Sequence, residues 1–137
     1  MLGDPSQEMS FIEATLDADA KNYHTWAYRQ WVLVYFGGMG DNDHTLSSPG
    51  ASKFPELWDA EPAYTDKMIR RDLRNNSAFN HRWFCLFGRA MQCKDHLDPS
   101  LETLRDNEIA YALDIVALAP NNASAWNYLR GYVLSRS

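Results

Sequence analysis

Along most of the chain, apolar residues recur three and four positions apart, and no useful stretch alternates with period two. Asp4-Pro5-Ser6-Gln7 sets a capping side chain before a proline, with glutamine three residues after the cap, and Met9, Ile12 and Leu16 follow at helical spacing. A first helix over 5–18 is predicted. From Tyr23 to Phe36 two apolar stripes run together, Tyr23, Trp26, Leu33 and Val34 on one side and Tyr28, Trp31 and Tyr35 on another. This second helix is therefore expected to be buried on two faces, like a helix in the inner layer of a stack. Residues 37–55 carry glycine, serine and proline without periodicity and predict a mobile insertion. Tyr64, Met68, Ile69 and Leu73 predict a third helix between 58 and 73, and a fourth runs over 77–91. Asp98-Pro99 repeats the cap-then-proline start of a fifth helix, lined by Leu101, Leu104, Ile109, Ala112, Leu113 and Val116 and ending near Pro120. Residues 123–135 give a sixth. The fold class is all-α.

Internal repetition organises these helices. Asp19 to Trp31 matches Asp72 to Phe84 in register, and Pro120 to Leu129 is a third copy. Each has asparagine near the helix cap, an aromatic four residues on (Trp26, Phe79, Trp126), and an aromatic or histidine two further (Tyr28, His81, Tyr128). The six helices thus form three hairpins of one solenoid, a single domain over 1–137. The anchors stand 53 and 47 residues apart (26 to 79, 79 to 126), longer than ~34-residue tetratricopeptide units. Bulky aromatics also occupy positions where that repeat wants small residues.

Composition narrows the function classes. A net charge of -5 and a pI near 5.2 argue against a protein that holds nucleic acid or anionic membrane mainly by charge. Cys85 and Cys93 form no C-x-x-C pair, and His24, His44, His81 and His96 are too scattered for a zinc-ligand spacing, so no metal is expected in this chain. The segment Asp41 to Ser52 fails as a calcium loop, with Leu46 where glycine must turn and Ser52 where a bidentate glutamate belongs. No run approaches the ~18 apolar residues of a membrane span and the start at Met1 has no secretory pattern, so the chain reads as cytosolic.

Asn22-Tyr23-His24-Thr25-Trp26-Ala27-Tyr28-Arg29-Gln30-Trp31 resembles the protein prenyltransferase alpha-subunit repeat. Leu57-Trp58-Asp59-Ala60-Glu61, Arg74 to Arg82 and Pro120 to Leu129 resemble, within that family, the alpha subunit shared by farnesyltransferase and type I geranylgeranyltransferase. The resemblance implies a right-handed αα-superhelix wrapped round a beta subunit. That partner would bind the zinc (and any magnesium), the isoprenoid diphosphate and most of the substrate whose C-terminal CaaX cysteine is prenylated. It also implies no catalytic residue here, because the family's diphosphate-contacting lysine belongs to the repeat before Asp4-Pro5-Ser6-Gln7, upstream of Met1. Lys21-Asn22-Tyr23 is the next copy of that motif. Alternatives are a non-catalytic helical-repeat scaffold and the alpha subunit of the Rab geranylgeranyltransferase.

Trp26, Trp31, Phe79, Trp83 and Trp126 are expected as hairpin-to-hairpin core, since each aromatic ring buries ~150–250 Å². Arg29 and Arg82 share one motif position. Each either pairs with a carboxylate of an adjacent loop or faces the partner subunit. His24 either approaches the active site from the concave side or serves as a capping or interface residue, and Asn22 and Tyr23 share that choice.

Overall fold

The structure is a computed structural model that describes residues 4–38, 53–93 and 98–135. Those residues are all-α, an αα-superhelix of three hairpins, with no strand among them. In the first hairpin α1 (Ser6–Ala18) packs on α2 (Tyr23–Val32), which continues through a π-helical turn at Leu33–Gly37. In the second, a 3₁₀ turn at Pro55–Ala60 leads into α3 (Glu61–Arg71), opposite α4 (Asn76–Trp83). A π-helical turn at Phe84–Gly88 joins α4 to the short α5 (Arg89–Cys93). The third hairpin is α6 (Pro99–Leu118) and α7 (Ala123–Leu134).

Local chemistry accounts for the boundaries. Asn22, Asn75 and Asn122 each cap a second helix, accepting from the backbone N–H of Thr25, Ala78 and Ser124. Asp98 caps α6 through Ser100 N–H, with Pro99 in the first turn. Asp4 accepts from Ser6 N–H at 2.9 Å, ahead of α1. Pro62 falls in the first turn of α3, where its missing N–H removes no helical bond.

Ile12, Leu16, Trp26, Met68, Ile69, Phe79, Ala112, Ile115 and Tyr132 belong to one continuous core through all three hairpins, and Leu33, Trp58 and Cys85 form a smaller one beside it. Of the expected insertion, residues 39–52 lie outside the described residues, and both its ends are packed structure. Gly37 is buried, and a β-carbon there would stand 2.7 Å from Trp58 Nε1, so only glycine fits. Gly38 takes φ 76° and accepts from Trp58 Nε1, while Phe54 N–H donates to the Phe36 carbonyl.

Two expected core tryptophans differ. Trp26 and Phe79 are 4% and 1% exposed and Trp83 is partly buried, but Trp31 and Trp126 stand 51% and 45% exposed. The physical reason is position in the stack. Trp31 lies on the outer side of the first hairpin and, among the described residues, stacks on Tyr28 and Tyr35 alone, and Trp126 lies on the last hairpin, its indole N–H donating to the Pro120 carbonyl at 2.7 Å. No helix among the described residues is long and apolar enough to cross a membrane.

Candidate functional site

Each junction between hairpins is closed by one arginine of the motif. Arg29 on α2 is 1% exposed and grips Glu61, at the start of α3, with two bonds: Nε to Oε1 at 2.7 Å and a terminal nitrogen to Oε2 at 2.6 Å. Arg82 on α4 does the same to Glu108 on α6, at 2.7 and 3.1 Å, and also donates to the Pro62 carbonyl and the Thr65 hydroxyl. Both guanidiniums lie over an aromatic ring, Arg29 Cζ 3.9 Å from the Tyr64 centroid and Arg82 Cζ 3.8 Å from that of Tyr111. A planar fork with a fixed charge suits this double task in a way that lysine does not.

A third group completes each junction from the same hairpin as the glutamate. His81 Nε2 lies 2.8 Å from Glu61 Oε1, and the Tyr128 hydroxyl donates to Glu108 Oε1 at 2.6 Å and meets the Tyr132 hydroxyl at 3.0 Å. Burial holds the His81 pKa below its ordinary 6.5, against the pull of Glu61, so the ring is neutral and donates Nε2–H to the carboxylate. Burial pushes Glu61 up, yet the bonds from His81 and Arg29 outweigh it and keep the carboxyl below its ordinary 4.5.

These shifts set a pH dependence. Folded His81 takes its proton less readily than unfolded histidine, so the associated stability is complete above pH 6.5 and is lost as the pH falls from there through the lowered folded value. Glu61 adds stability that is present above 4.5 and lost as the pH falls through its own lowered value. Both losses run in the acid direction. Thermal melts from above pH 6.5 to below pH 4.5 should show a steadily falling midpoint, and His81→Gln should flatten the upper part of that fall. A midpoint that rises on acidification would contradict the neutral assignment.

Glu61, His81 and Cys85 place their ligand atoms within 4.8 Å of one another, a grouping compact enough to consider for a metal. The donor set does not fit one. Both Glu61 oxygens already serve Arg29 and His81, and the guanidinium would sit beside any added cation. Burial, chiefly, pushes the Cys85 thiol far up, away from the thiolate that binds metal or attacks substrate.

The five residues expected to border a substrate or partner therefore separate. Arg29 and Arg82 are buried between hairpins, 1% and 7% exposed, and their partners are helical carboxylates instead of loop ones. Asn22, Tyr23 and His24 stay together on the first turn of α2, Tyr23 68% exposed and its ring 4.4 Å from that of His24. The expected place of the diphosphate-contacting lysine, upstream of Met1, lies outside the described residues, as does Met1 itself. Lys21, at the matching position of the next motif copy, forms an exposed ion pair with Asp72 at 3.5 Å. Glu108 escaped the sequence reading, and Glu61 and Tyr128 stood there only as motif positions with no clasp role, although the two glutamates are 47 residues apart, the same interval that separates Phe79 from Trp126. A second set of ties uses the capping asparagines. Asn75 Nδ2 donates to the Ala20 carbonyl at 2.8 Å, and Asn122 Nδ2 donates to that of Leu73, so each cap also grips the turn of the hairpin before it.

Repeating caps, aromatic anchors and arginine clasps define a helical-repeat protein whose hairpins are fastened in sequence. The pattern of the protein prenyltransferase alpha subunit repeat matches residues 5–36, 58–88 and 105–136, one match on each hairpin. The chain belongs to this family. It is 37% identical over 76 residues to the protein farnesyltransferase/geranylgeranyltransferase type-1 subunit alpha of Dictyostelium discoideum, covering 54% of this chain and 21% of that one. The human geranylgeranyl transferase type-2 subunit alpha is 27% identical over 155 residues, covering 95% of this chain and 26% of its own length. Among solved structures, a chain of the Candida albicans protein geranylgeranyltransferase-I complexed with GGPP superposes with a TM-score of 0.67 at 36% identity. That match covers 94% of this chain and 35% of the other. The chain thus spans about a fifth of the Dictyostelium relative and about a third of the structural one.

Proposed function

We propose that this chain is part of the alpha subunit of a cytosolic heterodimeric protein prenyltransferase of the farnesyl/geranylgeranyl type I class. The holoenzyme moves an isoprenoid from its diphosphate to the cysteine of a C-terminal CaaX motif, and this chain scaffolds the beta subunit and borders the active site. The observation that carries the reading is the coincidence of all three repeat matches with the three clasped hairpins, alongside 36% identity to the Candida type I structure. The class of relative favours type I over the Rab enzyme, whose alpha subunits match at lower identity.

Within this reading the chemistry belongs to the partner. Zinc in such a holoenzyme would hold the substrate cysteine as a thiolate, and the Glu61–His81–Cys85 grouping is unsuited to that task, being enclosed, already paired and protonated at sulfur. This chain's share is geometric. Asn22 fixes the start of α2 and leaves Tyr23 and His24 facing outward, where they contact the beta subunit or the substrate it holds. Arg29 and Arg82 hold the curvature on which that placement depends.

Affinity purification of the tagged chain from cells should bring down a zinc-bearing beta chain, and the complex should prenylate a cysteine-terminated peptide. Residues 1–137 purified alone should give no transfer with added zinc. Purification without any beta chain would favour a plain scaffold, and stoichiometric zinc with turnover by the isolated chain would overturn the assignment of chemistry to the partner.

A further inference from the structure

Arg29 and Arg82 each lie over an aromatic ring and each grip a glutamate through Nε and a terminal nitrogen. Arg89, at the start of α5, has the ring without the glutamate. Its Cζ stands 4.6 Å from the ring of Trp58, which is itself 3% exposed. Among the described residues no carboxylate pairs with Arg89, and its buried Nε has no hydrogen-bond partner. The charge is thus oriented by the indole and left without an acceptor.

Arg89 borders a cavity of about 310 Å³ between the second and third hairpins and is the only charged residue that lines it. Leu86 and Ala90 line one side, Leu101 and Leu104 from the start of α6 the other, and Cys85, 5% exposed, lies beside them. We propose that this cavity binds a free monocarboxylate with a short apolar chain, the carboxylate on the Arg89 guanidinium and the chain between the leucines. A cavity of this size lies at the small end of ligand pockets, about 300–1,000 Å³, which admits a short acyl chain and excludes a long one.

Charge and surroundings together select the occupant. The two completed clasps show that a guanidinium stacked in this fold takes a carboxylate, and Arg89 keeps the same Nε donor without a partner. A dianion fits poorly, because the cavity offers one cation and its second charge would be desolvated without a counter-ion. An uncharged chain fails for the opposite reason, since it would bury the guanidinium further and still leave it unpaired. Binding is non-covalent, as burial holds the Cys85 thiol protonated. Cys85 Sγ lies 3.2 Å from His81 Nε2, so the occupant also braces the junction that His81 and Glu61 close. This inference uses only the cavity and its lining, and it stands or falls apart from the prenyltransferase reading.

Octanoate titrated calorimetrically into the whole chain should bind at one site and raise the melting temperature as it saturates, because a ligand of the folded state stabilises it. Octanol, which has the same chain and no charge, should bind roughly tenfold more weakly or worse, the scale of one hydrogen bond to a charged group. Arg89→Met should weaken octanoate by a similar factor and leave octanol unchanged. Leu104→Phe, which fills the cavity, should weaken both. Octanoate that fails to saturate at millimolar concentration, octanol that binds as tightly, or octanoate binding that neither variant changes overturns the site. Should Arg89→Met not fold, Leu104→Phe and the comparison with octanol decide.

Discussion

Glu61→Ala should lower the stability of the chain by about 3–5 kcal/mol, the range for breaking a buried ion pair from one side. The substitution strands two groups and opens a junction. Arg29, at 1% exposure, keeps its charge with only the half-exposed Glu13, 3.8 Å away, as counter-ion, His81 Nε2–H loses its carboxylate acceptor, and the junction between the first two hairpins loses its only buried carboxylate contact to α2 among the described residues. Against a total of about 5–15 kcal/mol for an ordinary domain, such a loss leaves little folded protein. The double change Arg29→Met with Glu61→Leu should recover most of it, because removing both charges also removes their desolvation cost. Urea unfolding of the three proteins provides the measurement. A Glu61→Ala chain within about 1 kcal/mol of the parent, the scale of an exposed pair such as Arg71–Asp17, would show that the clasp contributes no more than surface charge.

Phe79→Ala should cost a similar amount, about 3–5 kcal/mol, by a different route. The ring is 1% exposed in α4, 5.3 Å from the Tyr128 ring of the third hairpin, in the core that runs through all three hairpins. Truncation removes apolar burial and leaves a void that the flanking helices, tied by Asn122 to Leu73 and by Arg82 to Glu108, are poorly placed to close. Phe79→Leu, which keeps most of the volume, should lose under about 1.5 kcal/mol. Equal losses for the two substitutions would mean that ring shape, and not volume, governs the junction.

Much of this architecture could be read along the chain because its determinants are local. Apolar spacing, the capping asparagines and the Asp98-Pro99 start are signals within one turn of helix, and they mark the hairpins directly. The fate of Arg29 was not local. Its partner lies 32 residues on in another helix, beyond a segment with no periodicity, and nothing in the surrounding residues distinguishes a clasped arginine from one that faces a partner. The exposure of Trp31 has the same origin. Its periodicity marks an apolar face, but whether that face is covered depends on what stacks outside the first hairpin. The π-helical turns at Leu33–Gly37 and Phe84–Gly88 were equally hidden, since an added residue within a helix leaves the composition helical and alters only the phase of the residues after it. Of the candidate site, Asn22, Tyr23 and His24 were legible as a cluster from adjacency. The Glu61–His81–Cys85 grouping was not, because Glu61 belongs to α3 while His81 lies on α4 and Cys85 on the π-helical turn after it.

The capping asparagines carry a consequence for how the chain is made. Asn75 and Asn122 each use one amide group twice, the oxygen to start its own helix and the nitrogen to hold a carbonyl, of Ala20 or Leu73, in the turn before. Starting a helix is the costly part of forming it, and here its initiator is oriented by a turn that lies about fifty residues upstream. During synthesis that upstream turn always leaves the ribosome first, so a template is in place when each asparagine emerges. Growth of the stack then follows the order of translation, each finished hairpin seeding the next.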